Sequence, residues 1–224
     1  MRYRTLVWIA FWLAASVPVP AQNPADKSAT SSPATESNSG SELDSKAPST
    51  SHADTYAALD DTCWQLYNKH DNSREAGIAC QKAADYLDKY LPETEIHEKL
   101  SEYLAAAWAL ANCGEALSAR PYAEKAVQAS SKTLDYTFGI GSAYGIRGVI
   151  EGSLHELDAS DRDLNQAEQF GRQAYKQAVA DHFKGTEMYK GYLVNYLRAH
   201  SALLMALHRD KEAKERLDEA LSLQ

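Results

Sequence analysis

The chain has 224 residues, 44% of them hydrophobic and 24% charged, with three cysteines; this fits one folded domain with a tail and excludes a polytopic membrane protein. Its formal charge of -8, from 23 basic and 31 acidic residues, argues against nucleic acid as the main partner.

The chain opens with Arg2 and Arg4, followed by an almost wholly apolar run from Thr5 to Val17 and small residues at Val19-Pro20-Ala21. These are the three parts of a cleaved secretory signal, so residues 1–21 are predicted to be a signal peptide. The apolar run is 13 residues, shorter than the ~20 needed to cross a bilayer as a helix. Ser16 stands where a lipoprotein signal would need cysteine. The expectation is an extracytoplasmic protein, periplasmic or secreted, with no stable membrane insertion after cleavage. Residues 22–52 hold nine Ser, three Thr, three Pro and four Ala, with Leu43 the only large aliphatic residue. Such a segment cannot offset its chain entropy and reads as a disordered linker.

Residues 53–224 contain only Pro92 and Pro121 and show no period-two alternation, so this segment is predicted to be all-α. Ile96, Leu100, Leu104, Trp108 and Ala111 lie on one helical stripe that ends before Gly114, and Leu193, Leu197, Leu204 and Leu207 lie on a second. An alanine pair seven residues apart recurs: Ala76 and Ala83, Ala119 and Ala126, Ala167 and Ala174, Ala213 and Ala220. Two polar residues precede each second alanine. Turns are predicted before each first one, at 70–74, 113–115, 158–163 and 208–210. An alanine once every seven residues lets a second helix approach closely, as in a helical hairpin.

These alanine pairs, with the small residues Ala107 and Ser201 twelve positions before two of them, resemble the tetratricopeptide repeat family. Leu110, Leu204 and Tyr67 fill its apolar position, and Tyr103 and Leu197 stand where it usually has tryptophan. The copies are 43, 48 and 46 residues apart, against about 34 in the family. Longer helices are expected to absorb the difference. Trp64 and Asp158 depart from the pattern in copies one and three. The resemblance implies a right-handed alpha-solenoid of about four antiparallel helical hairpins. Its inner face would belong to the first helix of each pair, which assigns a peptide-binding groove to Gln65, Asn68, Lys69, Trp108, Asn112, Asn195 and Arg198.

Cys63 and Cys80 flank the Asp71-Asn72 turn symmetrically, so antiparallel helices bring them side by side, either as a disulfide or as two buried thiols. Cys113 is then the odd one. Gly141, Gly145, Gly148 and Gly152 share one helical face and predict close approach of a neighbouring helix, with a broken or mobile helix and a groove for a ligand backbone as the alternatives. His155, Glu156, Asp158, Asp161 and Asp163 lack the spacing and the glycine of a calcium loop; Ser160 or Asp161 is read instead as a helix cap. Tyr189, Tyr192 and Tyr196 form a stripe that serves either the core or a peptide. No phosphate loop, nucleophile elbow, dinucleotide fingerprint or metal signature occurs. The expected function is therefore a non-enzymatic scaffold without cofactor, binding a protein or peptide partner in a cell envelope. A structural protein that self-associates through its C-terminal helix and an enzyme of unknown class are the alternatives.

Overall fold

The computed structural model describes residues 51–69, 73–91, 94–133 and 136–224. The predicted signal peptide of residues 1–21, and the predicted linker up to residue 50, lie outside the described residues. Eight helices and no strand occur among the described residues: α1 (His52–Asn68), α2 (Arg74–Tyr90), α3 (Ile96–Asn112), α4 (Ala116–Ser130), α5 (Thr137–Ser153), α6 (Leu157–Ala180), α7 (Thr186–Ala206) and α8 (Asp210–Ser222). Each helix packs on the next along the chain. Ser51 and His52, read from sequence as the end of the linker, instead start α1. The Ser51 hydroxyl accepts from the Asp54 amide at 3.1 Å, and the Asp54 carboxylate accepts from the Ser51 amide at 3.2 Å, which closes a capping box.

The turns after α3, α5, α6 and α7 are built alike. Each has one residue in the left-handed region, Gly114 (φ 87°), His155 (φ 64°), His182 (φ 51°) and His208 (φ 57°). In each, the next amide reaches back five residues: Glu115 to Leu110, Glu156 to Glu151, Phe183 to Ala178 and Arg209 to Leu204, all at 2.9 Å. This is the Schellman closure, which satisfies carbonyls that a helix end would leave unpaired.

These turns set the hairpin register. All eight seam alanines are buried, at 4% exposure or less. The sequence had placed the third turn at 158–163, and the structure corrects it to 154–156, because 157–163 form the first two turns of α6. Ser160 is therefore the counterpart of Ala119 and Ala213, and Ala167 the counterpart of Ala126. Neither Ser160 nor Asp161 is a cap; Glu156 holds that place. In the corrected register the small residue twelve positions earlier is Gly148, matching Ala107 and Ser201. The extra length of the third hairpin lies in α6, which has 24 residues.

The glycines of α5 explain how closely α6 and α7 approach. A Cβ on Gly148 would lie 2.9 Å from Leu164 Cγ and 3.1 Å from the Leu164 amide nitrogen, and one on Gly145 would lie 2.7 Å from the Tyr196 ring. Real contacts are not that short, so both positions exclude any larger side chain. The main core joins α1 to α5 and runs through Leu100, Ala107, Leu110, Ala123, Ala126 and Ile150.

Candidate functional site

The first helices of successive hairpins touch one another: α1 meets α3, α3 meets α5, and α5 meets α7. They form one layer across the fold. The chemistry of that layer depends on which side chains it leaves partly open. On α3 the half-buried positions Ser101, Leu104, Trp108 and Asn112 recur at three or four residues and line one stripe. On α7 the corresponding half-buried stripe is Tyr192, Asn195, Arg198 and Ala202.

The predicted groove residues fall on three helices of this layer. Gln65, Asn68 and Lys69 are exposed near the end of α1, where Gln65 donates to the Asp61 carboxylate at 2.7 Å. Trp108 and Asn112 belong to the α3 stripe, Asn195 and Arg198 to that of α7. Helix α5 lies between α3 and α7 and adds the half-buried Val149.

An aromatic run that the sequence did not reveal crosses the same layer near the starts of α3, α5 and α7. His97 meets Tyr136 edge to face at 5.5 Å, Tyr136 meets Phe138 at 5.9 Å, and Phe138 meets Tyr189 at 5.2 Å and Tyr192 at 4.7 Å. Within the predicted tyrosine stripe the roles divide. Tyr196 is core: its hydroxyl is 3.1 Å from Ser142 Oγ and its ring fills the space over Gly145 and Gly171. Tyr189 and Tyr192 stay half-buried and join the aromatic run. Burial holds the phenols of Tyr67 and Tyr192 well above their ordinary range, and at Tyr192 the proximity of Tyr67, at the end of α1, adds to the effect. Both hydroxyls therefore remain neutral donors at physiological pH.

Carboxylates are prominent elsewhere, and their partners show what they do. Glu156 is held by Arg120 at 2.7 Å, and Asp163 accepts two hydrogen bonds from Arg147, at 2.5 and 2.9 Å. Asp161 is hydrogen-bonded to His200 at 2.8 Å and accepts from Arg209 at 2.7 Å. The other ring nitrogen of His200 is 2.6 Å from the fully buried Glu168, which also accepts from Arg172 at 3.1 Å. Burial would raise the Asp161 carboxyl, but the hydrogen bonds from His200 and Arg209 outweigh it and hold the group below its ordinary value. The acidic residues after His155 thus tie α6 to α4, α5, α7 and α8. Among the described residues no group of three or more His, Cys, Asp or Glu side chains is arranged to hold a metal ion.

Two buried carboxyls each keep one oxygen without a hydrogen-bond partner. Glu102 of α3 is 2% exposed, and burial followed by its hydrogen bond to Asp60 of α1 pushes it up to about 9, so it carries a proton at neutral pH. Glu151 of α5 is pushed up to about 7, first by burial and then by Asp163, whose two hydrogen bonds engage the nearby Arg147. Glu151 occupies the register position that Leu110 and Leu204 hold in the neighbouring hairpins.

Cys63 of α1 and Cys80 of α2 are both fully buried and joined as a disulfide, with an S–S distance of 2.17 Å and Cα atoms 4.5 Å apart. Cys113 is a free thiol that donates to the Leu110 carbonyl at 3.2 Å, and burial raises its pKa. No described helix is long and apolar enough to cross a membrane. Comparison with protein-family models, with curated proteins and with solved structures returns no match.

Proposed function

We propose that the chain is a helical-repeat adaptor of an extracytoplasmic space, a tetratricopeptide-like right-handed solenoid of four hairpins that binds an extended segment of a protein or peptide partner without catalysis or cofactor. The observation that carries this reading is the continuous layer of α1, α3, α5 and α7, with half-open stripes of mixed chemistry on α3 and α7. Asn112 and Asn195 offer both donors and acceptors to a peptide backbone, Trp108 offers apolar area, and Arg198 offers a fork for a carboxylate. The phenols of Tyr67 and Tyr192 add neutral donors. Stacked hairpins use such a surface for docking because their other faces are spent on one another. The buried Cys63–Cys80 disulfide suits an oxidising compartment, in keeping with the signal-like leader.

The test is selection from a displayed library of random peptides. Peptides enriched on the wild-type chain should bind the Trp108→Ala/Arg198→Glu variant at least about tenfold more weakly, equivalent to about 1.4 kcal/mol, while its far-ultraviolet circular dichroism stays unchanged. Equal binding by the two proteins would rule this surface out.

A further inference from the structure

Helix α1 is held to the rest of the fold from two sides. Cys63 fastens it to α2 through the disulfide with Cys80. Toward α3 it turns Tyr56, Asp60 and Trp64, which are spaced four residues apart and so share one face. All three hydrogen-bond the same buried side chain, Glu102 of α3.

The donors and acceptors of this cluster do not match if both acids are ionised. The Tyr56 hydroxyl and the Trp64 indole N–H donate to Glu102, but a carboxylate only accepts, so Asp60 and Glu102 cannot bond each other without a proton. Glu102 Oε2 and Asp60 Oδ1 are accordingly the two oxygens of the cluster that lie buried with no donor among the described residues. One proton between them satisfies both. Burial, followed by the Glu102 and Asp60 carboxyls and by Glu98, raises the Tyr56 phenol far above its ordinary range, so it stays a neutral donor. Glu98 and Lys99 stand one turn before Glu102 on α3. On α2, Asp85 and Asp88 accept from Tyr122 and Tyr103, Lys125 of α4 pairs with Asp88, and Arg147 of α5 is engaged by Asp163, so these charges are spent elsewhere.

We propose that a proton shared between Glu102 Oε2 and Asp60 Oδ1 latches α1 onto α3, and that its loss in alkaline solution frees α1 from α3 while the Cys63–Cys80 disulfide keeps it tethered to α2. Ionisation sets two like charges against each other on facing helices, which turns an attractive contact into a repulsive one. Helix α1 ends in Gln65, Asn68 and Lys69, so the same step withdraws one end of the layer formed by α1, α3, α5 and α7. The inference does not rest on peptide binding there.

Carbon-13 NMR of the glutamate carboxyls in the full chain should show one still protonated at about pH 8, and Glu102→Gln should remove that resonance. Amide protection factors in α1 should fall at least about tenfold between pH 7.5 and 10 as the proton leaves, while those of α3 and α4 hold. Glu102→Gln keeps a donor toward Asp60 and has nothing to ionise, so its α1 protection should stay level over that range. Asp60→Asn removes the neighbouring charge and supplies a donor to Glu102, so the Glu102 resonance should titrate at lower pH than in the wild type. A Glu102 carboxyl already ionised at about pH 8 overturns the proposal, as does an Asp60→Asn variant in which it titrates unchanged. So does an α1 whose protection stays level in the wild type or falls equally in Glu102→Gln. Wild-type protection at pH 10 that is restored by added calcium chloride would put a bridging cation in the proton's place and also overturns it.

Discussion

The hydroxyl of Ser160 donates a 2.7 Å hydrogen bond to the carbonyl of Gly148, across the interface between α5 and α6. The last hairpin repeats the link in the reverse sense, with Ser201 of α7 donating to the carbonyl of Ala213 in α8 at 2.7 Å. In both cases a small residue lies opposite the seam position twelve residues on. The helices are therefore close enough for one side-chain oxygen to span the gap between backbones. Ala107 and Ala119 occupy the same two places in the second hairpin with methyl groups alone.

That closeness makes Gly148 hard to replace. In Gly148→Ala the new methyl would meet the Leu164 backbone nitrogen, which cannot give way as a side-chain tip can. Overpacking of this kind costs about 1–3 kcal/mol, against a gain of about 1 kcal/mol in helix propensity. Net destabilisation of up to about 2 kcal/mol is expected in urea unfolding. Gly152→Ala is the control: the Cβ would meet only the Ser160 side chain, so stability should hold or rise by up to about 1 kcal/mol. Equal effects at the two sites would contradict the packing described.

The hairpin seams were legible because alanine at a seven-residue interval has a direct packing meaning, and all eight positions are buried. The third turn was not, since Leu154-His155-Glu156 contains neither Gly nor Pro and the charged stretch Asp158–Asp163 looks like a loop. Those carboxylates lie in α6, where Arg147, Arg209 and His200 from other helices pair with them. Local sequence cannot show such pairing. The α3 stripe around Trp108 followed from helical period, whereas the run through Tyr136, Phe138 and Tyr192 joins separate helices that only tertiary packing brings together. Glu102 was hidden for a related reason: it lies in a helix among apolar residues and looks solvent-facing until α1 covers it.

Removing the Cys63–Cys80 bond should loosen α1 most, because the bond spans 17 residues and fastens that helix to α2. Closing a loop of this size restricts the unfolded chain by about 3 kcal/mol. Cys63→Ala/Cys80→Ala should lose stability by about that amount, with the largest rise in amide exchange in α1. A loss below about 1 kcal/mol would show that packing around Ala83, Ala84 and Leu100 holds the helix by itself.

Stability should peak in mildly acidic solution. Glu151 and Glu102 are raised in the folded protein from 4.5 to about 7 and about 9, so the folded state holds protons that the unfolded state has released. Their contribution is complete below pH 4.5 and is lost as pH rises through those values. Asp161, Glu212 and Glu219 are lowered, so their contribution exists above ordinary carboxylate values and disappears in acid. The opposing trends place the optimum near about pH 5. Glu151→Gln should stabilise the protein above pH 7 by up to about 3 kcal/mol and leave it unchanged at pH 4. Melting temperatures across this range check both statements; a wild-type stability that rises from pH 5 to 8 would contradict them.

His200 is the residue whose loss should cost most. Its ring separates Glu168, which is fully buried, from Asp161, and hydrogen-bonds to both. With the imidazole gone, Glu168 keeps the Arg172 hydrogen bond at 3.1 Å and the more distant Arg216 at 3.7 Å, while one of its oxygens faces a cavity. Leaving a buried oxygen without its hydrogen-bond partner costs about 1–3 kcal/mol and the lost ring adds a cavity penalty, so His200→Ala should cost about 3 kcal/mol or more. His200→Ala/Glu168→Leu removes the stranded carboxylate as well and should recover much of the loss. Asp161→Asn, at a partly exposed site, should cost less than His200→Ala. Chemical denaturation of the three variants orders them, and a double variant no more stable than His200→Ala would show that packing volume, and not the unpartnered carboxyl, sets the penalty.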